Sequence, residues 1–346
     1  MTATAARPSL DKIINDINKK LGPGTVVKAS DASAPVPRIP SGSVTLDYIL
    51  GGGWPANQWV ELIGEASSGK TMLALQTIAA NQRRDPDFTT VWVAAEKWVS
   101  QYAEMCGVDT ERMYVVESNV MEDALDAAIK FAESRAIDLI VIDSLPALVP
   151  SAEDEKIMEE MTVGRHALLI NKFFRKVGMA TKRSLVEDER PVMGLIINQW
   201  RMKIDGNSKY DNRTTPGGEG KNYSFFIRCE VRRAGWIDVG SGIDTRRIGQ
   251  TVKVRTIKNK TAPAQQVSEF DFYFDDGGNV SKGDIDFAKE MVSLGIITKV
   301  IERKGSWLYF KDLKWQGAES MLDAVREDVD LADDLRSEIM ALVDRR

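Results

Sequence analysis

Histidine and cysteine are nearly missing from this chain of 346 residues: His166 is the one histidine, and Cys106 and Cys229 are the two cysteines. That scarcity excludes a disulfide framework, and a zinc centre built from four cysteines or from paired cysteines and histidines. A serine–histidine–aspartate triad or a multi-histidine metal centre would have to rest on His166 alone. No run of about 18 apolar residues occurs, so neither a membrane span nor a membrane partner is expected. The opening stretch, MTATAARPSLDK, lacks the apolar segment of a signal peptide. With cysteine so sparse, a cytoplasmic protein is expected. Positive charge is not in surplus either: 46 Lys and Arg against 51 Asp and Glu leave a net of −5. A strongly basic chain would suggest nucleic acid. A local basic stripe on an acidic body still binds phosphate, so the placement of Lys and Arg has to decide.

What remains is an ordinary globular composition, 43% hydrophobic and 28% charged. At roughly 150 residues per domain the length suits two domains, or a large one with a satellite. Leu10, Ile13, Ile14, Ile17 and Leu21 recur at helical spacing, with Ser9 placed to cap and Gly22-Pro23-Gly24 to stop the helix. The Ala-, Ser- and Pro-rich stretch that follows reads as an arm. From Gln58 onward apolar strands (WVELIG, TVWVAA, DLIVID, VMGLIIN) alternate with helix-length segments. That alternation predicts an α/β fold with a mainly parallel sheet covered on both faces. SFFIRCEVRR, TVKVRTIKNK and SEFDFYF alternate instead, predicting an antiparallel extension. The expected division is 1–34 as an oligomerisation helix and arm, 35–279 as the core, and 280–346 as a small α+β domain.

Residues Gly64-Glu65-Ala66-Ser67-Ser68-Gly69-Lys70-Thr71 fit G-x-x-x-x-G-K-[ST] between a predicted strand and a predicted helix. Glycines there let backbone N–H groups wrap phosphates, and the helix start adds partial positive charge. Lys70 would reach the β- and γ-phosphates, and Thr71 would hold Mg²⁺. LIVID ends in Asp143, a carboxylate at the strand edge where such folds bind ligands, suited to the Mg²⁺ shell. Glu96 closes another strand, where a carboxylate either activates water or caps a turn; the pattern alone leaves both open. Gln199 ends GLIINQ and would face the γ-phosphate or the water.

PSGSVTLDYILGGG, GEASSGKT, VAAEKW, LIVIDSLPALVPSAE, NQWRMKI, TTPGG, IRCEVRR, KNKTAP and MVSLGIITKVIERKGSWLYF follow one another in an order that resembles the RecA family of DNA strand-exchange proteins. The resemblance covers nearly the whole chain. Ring helicases and clock ATPases share the ATPase core but do not combine NQWRMKI, a glycine-pair loop and KNK in this order. It implies a RecA-like ATPase core, ATP and Mg²⁺ as cofactors, and a helical homo-oligomeric filament on single-stranded DNA that pairs with double-stranded DNA. It also implies that Glu96 is the catalytic base and that Gln199 senses the γ-phosphate. Lys258 and Lys260 would be contributed across the subunit interface, doing an arginine finger's work in trans. Tyr102 would stack on adenine, and Phe274 would cover the nucleotide's other side.

Two loops would meet DNA by the same resemblance. One is 153–164, with Val163 and Gly164 at its end. The other is 200–218, with Arg201, Met202, Lys203, Ile204, Lys209, Arg213, Gly217 and Gly218. The second interleaves basic residues with Gly, Asn and Ser, as a phosphate-binding loop requires. Departures from the family's pattern are also visible. The first loop is acidic, Ser100 stands near where the family places a carboxylate against adenine, and the chain ends in ALVDRR rather than an acidic tail. A hexameric ring motor and a non-enzymatic ATP-switched coating protein are the rival readings. The N-terminal helix with its arm favours a filament over the first, and Glu96 favours hydrolysis over the second.

Overall fold

The computed structural model describes residues 9–22, 24–30, 37–151, 164–180, 190–202 and 213–343. The chain begins with α1 (Leu10–Leu21), where Ser9 occupies the cap position without a side-chain bond and Gly22 ends the helix. None of its residues is fully buried, and Leu10, Ile13 and Leu21 are exposed. A short pair, β1 (Arg38–Ile39) and β2 (Trp54–Pro55), flanks α2 (Val44–Leu50). Next come β3 (Trp59–Ile63), α3 (Lys70–Arg84), β4 (Thr90–Ala94), α4 (Ser100–Met105), β5 (Met113–Glu117) and α5 (Met121–Ser134). They are followed by β6 (Leu139–Asp143), α6 (Arg165–Ala180) and β7 (Met193–Asn198). The minimal pair β8 (Arg201–Met202) and β9 (Arg213–Thr214) precedes α7 (Lys221–Ser224) and the long strands β10 (Ile227–Val239) and β11 (Arg246–Asn259). β12 (Val267–Tyr273) closes the core, and α8 (Phe287–Thr298), β13 (Glu302–Lys304), β14 (Trp307–Phe310), β15 (Leu313–Gln316), α9 (Ala318–Glu327) and α10 (Val329–Val343) complete the chain.

The main sheet runs β12-β11-β10-β3-β7-β6-β4-β5. Pairing is parallel from β10 through to β5 and antiparallel for β10–β11 and β11–β12, as the two sequence patterns predict. β5 is an edge strand that the sequence reading passes over, because its MYVVE run is short and only Met113 is fully buried. Alternation fixes which side chains go to which face. Val60, Leu62, Trp92 and Val141 pack with α3, whereas Trp59, Val93, Ile140 and Ile196 pack with α5 and α6. On the second face Trp59, Phe173, Phe174 and Phe225 meet edge to face, with centroids 4.9 to 6.1 Å apart, an arrangement favoured by ring quadrupoles. No helix among the described residues is long and apolar enough to cross a membrane.

Residues of α8, α9 and α10 with β14 build a separate apolar cluster, joined to the core at α2. Glu290 of α8 is the joint: its carboxylate accepts from the Ser43 hydroxyl, the Thr45 hydroxyl at 2.7 Å, and the Thr45 N–H at 3.3 Å. Nearby Asp47 accepts from the Ser41 N–H at 2.8 Å. Burial pushes the Asp47 carboxyl up to about 7, against the Ser41 hydrogen bonds, and the Glu290 charge adds to the rise. The folded chain therefore holds this proton above the ordinary value of about 4, and stability falls as pH rises through that window, by up to about 1.4 kcal/mol per unit. Asp47→Asn keeps an acceptor and cannot ionise. It should raise the melting temperature by several degrees at pH 8, with the advantage fading as pH falls toward 4. An equal difference at both ends of a pH series of melting curves would exclude this account.

Candidate functional site

Four strands deliver residues to the carboxyl edge of the sheet, where ligands bind in open α/β folds. β3 ends in the glycine-rich loop, β4 in Glu96, β6 in Asp143 and β7 in Gln199. The loop starts at Gly64, where a Cβ would lie 2.2 Å from the Val231 carbonyl oxygen, so only glycine fits. Lys70 opens α3 and folds its ammonium back over the loop, donating to the carbonyls of Gly64 at 3.1 Å and Glu65 at 2.6 Å. Burial lowers the Lys70 pKa below the usual lysine value, while Asp143, Glu96 and Glu65 pull it up. Thr71 Oγ1 donates to Asp143 Oδ2 at 2.9 Å. Burial pushes the Asp143 carboxyl up to about 6, against the Thr71 hydrogen bond, with the Glu96 charge adding to the rise. Glu96 is exposed and its Oε1 accepts from Ser144 Oγ at 3.0 Å. A hydroxyl and a carboxylate are hard oxygen ligands of the kind Mg²⁺ takes alongside water and phosphate, so Thr71 and Asp143 fit that ion.

A pocket of about 380 Å³ opens beside the loop. It is lined by Ser67, Ser68, Gly69, Lys70 and Thr71, and by both aromatics expected there, Tyr102 of α4 and Phe274 just past β12. The remaining wall was not foreseen: Trp236, Arg247 and Gln250 come from the part of β10–β11 that overhangs the sheet edge. Trp236 meets Phe274 edge to face at 6.4 Å, and the Arg233 and Arg247 guanidiniums lie 3.9 and 4.2 Å from its centroid. Trp236, shortly after IRCEVRR, was the available signal, but it has meaning only once β10 is known to pair with β3.

Lys258 and Lys260 do not join these groups within the chain. Lys258 is near the far end of β11, opposite Arg228, and donates to the Asn222 carbonyl at 2.8 Å. Lys260 lies over the Phe226 ring at 5.3 Å. Lys258 lies eight steps along the strand from Gln250 in the pocket wall, about 26 Å at ~3.3 Å per residue.

Of the loop residues, Val163, Lys203, Ile204 and Lys209 lie outside the described residues. Gly164 precedes α6, and Gly217 and Gly218 pack on that helix's first turns. A Cβ at Gly217 would come 2.6 Å from Ile170 Cδ1, and one at Gly218 3.2 Å from Ala167 Cβ. The ends of the two loops therefore meet on α6. Arg201 and Met202 are exposed on β8, paired with Thr214 and Arg213. Arg213 has a partner the sequence did not reveal: it donates to Glu230 at 2.9 Å and stacks on Trp200 at 4.7 Å. Glu230 also accepts from Trp200, Arg232 and Arg255 at 3.1, 2.6 and 2.8 Å. Its burial alone would raise its pKa, but Arg232, Arg213 and Arg255 hold it below the usual carboxylate value.

Comparison with known proteins gives a consistent result. The family model described as the RecA N-terminal domain matches residues 8–279. Protein RecA of Staphylococcus carnosus is 35% identical over 335 residues, 96% of this chain and 89% of that protein. Protein RecA of Thermus thermophilus is 34% identical over 344 residues, 98% of this chain and 95% of that protein. Protein RecA of a Nitratiruptor species is 35% identical over 341 residues, 97% of this chain and 93% of its own length.

Proposed function

Because the chain belongs to the RecA family, we propose that it is a cytoplasmic DNA-dependent ATPase that assembles as a helical filament on single-stranded DNA and pairs it with homologous duplex for strand exchange. The observation that carries this reading is the cluster at one sheet edge. There a phosphate loop has its Thr71 bonded to Asp143 at 2.9 Å and Glu96 stands beside Ser144. Residues 64–71 and the start of α3 bind the phosphates, with Lys70 as the principal side-chain cation. Tyr102 and Phe274 hold the base. Thr71 and Asp143 would hold Mg²⁺, which would supply charge neutralisation for the phosphates. Glu96 takes the proton of the attacking water, and Gln199 contacts the γ-phosphate.

The lysine pair completes a site on the adjoining subunit, since about 26 Å of strand separates it from its own pocket. The unburied apolar stripe of α1 supports assembly in the same way: Leu10, Ile13 and Ile17 gain burial by docking on the next subunit's core. The three regions 1–34, 35–279 and 280–346 then serve assembly, catalysis with DNA contact, and an accessory role.

Electron microscopy with single-stranded DNA and a non-hydrolysable ATP analogue should reveal helical filaments. Closed rings would overturn this reading in favour of a motor. For DNA contact, the proposed residues are Val163, Gly164, Arg201, Met202, Lys203, Ile204, Lys209, Arg213, Gly217 and Gly218. Arg201→Ala should weaken binding to all sequences alike and reduce the slope of log affinity against log salt by about 0.7. An unchanged slope in a salt titration would remove Arg201 from the interface.

A further inference from the structure

Among the described residues three glutamines are buried, Gln76, Gln82 and Gln250, with 2%, 4% and 7% of their surface exposed. Burying a carboxamide costs free energy unless its N–H groups and its oxygen find partners. Gln76 donates to the Gly283 carbonyl at 2.7 Å. Gln82 donates to the Asp109 carbonyl at 3.0 Å and accepts from the Asp109 N–H at 2.9 Å. Gln250 differs: its side chain makes no hydrogen bond to any described residue.

The surroundings of Gln250 indicate where its partner belongs. It stands on β11 directly across from Trp236 on β10 and from Phe272 on β12. Residues directly opposite in antiparallel strands share a face, and all three line the pocket beside the phosphate loop. The Gln250 carboxamide nitrogen lies 3.2 Å from the position a Cβ on Gly69 would take, so the side chain reaches the loop itself. On its other side Trp236 meets Phe274 edge to face. The other polar side chain of the strand wall is engaged, since Arg247 donates to Asp238 at 3.1 Å and stacks on Trp236. Gln250 therefore sits between the loop that takes the phosphates and the aromatics that take the base. The part of a nucleoside triphosphate between those two is its sugar.

The chemistry of a carboxamide agrees with that placement. Against a phosphate only its N–H would be used, and its oxygen would face anionic oxygens. Against two adjacent hydroxyls both ends are used: the oxygen accepts from one O–H, and the N–H donates to the other hydroxyl's oxygen. We propose that Gln250 reads the ribose of the nucleotide, bonding its 2′- and 3′-hydroxyls and so selecting ribonucleotides over deoxyribonucleotides. The proposal rests on the reading of residues 64–71 as the phosphate site, and it names the part of the substrate on which selectivity there depends. Loss of either hydroxyl again leaves one end of a buried carboxamide without a partner. One neutral hydrogen bond of this kind corresponds to about tenfold in affinity.

Equilibrium binding of ATP, 2′-deoxy-ATP and 3′-deoxy-ATP to the full chain tests this. The parent should bind ATP about tenfold more tightly than either deoxynucleotide. Gln250→Leu removes both hydrogen-bonding ends at similar side-chain size. It should bind the three nucleotides alike, with ATP weakened most. Gln250→Met, unbranched and also without an amide, is the second replacement and should give the same result. A parent that binds the deoxynucleotides as tightly as ATP would overturn the proposal without any variant. So would an undiminished preference for ATP in either folded variant, or an equal loss for all three nucleotides, which would put the carboxamide on the phosphates or the base. Each of these outcomes leaves the phosphate site and the ATPase reading in place. A parent that binds none of the three would remove the nucleotide site itself.

Discussion

A Glu96→Gln variant should bind ATP about as tightly as the parent and lose at least about 10²-fold of its DNA-dependent turnover. The substitution is nearly isosteric, and its carboxamide oxygen can still accept from Ser144 Oγ, which bonds the native carboxylate at 3.0 Å. Glu96 is exposed at the sheet edge, so little of the fold depends on its charge. The charge does act on the rest of the site, helping to raise the Asp143 carboxyl. Its removal leaves Asp143 easier to ionise and should not weaken the Mg²⁺-dependent grip on phosphate. What is lost is a base next to the water. Equilibrium binding of a non-hydrolysable analogue, set beside steady-state hydrolysis, separates the two effects. Near-normal turnover would return Glu96 to the turn-capping role that its position equally allows.

Equally large is the effect expected from the lysines at the other end of β11. Lys258→Ala/Lys260→Ala subunits should hydrolyse almost no ATP alone, as should Glu96→Gln subunits. Mixed in equal amounts on single-stranded DNA, the two should recover up to about a quarter of parental activity, the fraction of adjacent pairs that assemble one site from two intact halves. The lysines are remote from their own chain's pocket: Lys258 is paired in register with Arg228, while Gln250 of the same strand lines the pocket. If demonstrably mixed filaments stay inactive at every ratio, the lysines serve the fold and not the neighbour. Burial and the nearby charges of Lys260 and Arg228 lower the Lys258 pKa, so the ammonium gains from meeting an anion.

Groups contiguous in the chain were legible from the sequence, and groups assembled from distant strands were not. Gly64 to Thr71 could be read because strand, loop and helix start lie within a few residues, and the loop's chemistry is set by its own backbone. Asp143 and Gln199 could be read because each ends an apolar run, which fixes it at the sheet edge. Tyr102 and Phe274 needed the family resemblance, since nothing local marks either as a nucleotide contact. Trp236, Arg247 and Gln250 escaped because their place depends on how far β10 and β11 run past Ile63, a matter of register between strands far apart in sequence. Arg213 looked like an unencumbered DNA ligand in a basic, polar segment. Only folding reveals that Glu230, from β10, already gathers it with Arg232 and Arg255. The alternation that marked β10 as a strand gave no hint that one of its inward residues is a carboxylate serving three guanidiniums.

The overhang of β10 and β11 has a further consequence, for synthesis of the chain. The phosphate loop leaves the ribosome early, but the wall that encloses the nucleotide, Trp236 with Arg247 and Gln250, is made much later. At about 5–20 residues per second the gap is on the order of ten seconds. During that interval β3 also lacks β10 as a sheet neighbour, so the loop has no Val231 carbonyl to close against. ATP therefore meets only part of its pocket on the nascent chain. Affinity for nucleotide should reach its full value only when the last long-range pairing forms, and a chain stopped before β11 should bind nucleotide more weakly than the full chain, lacking Arg247, Gln250 and Phe274 from the pocket.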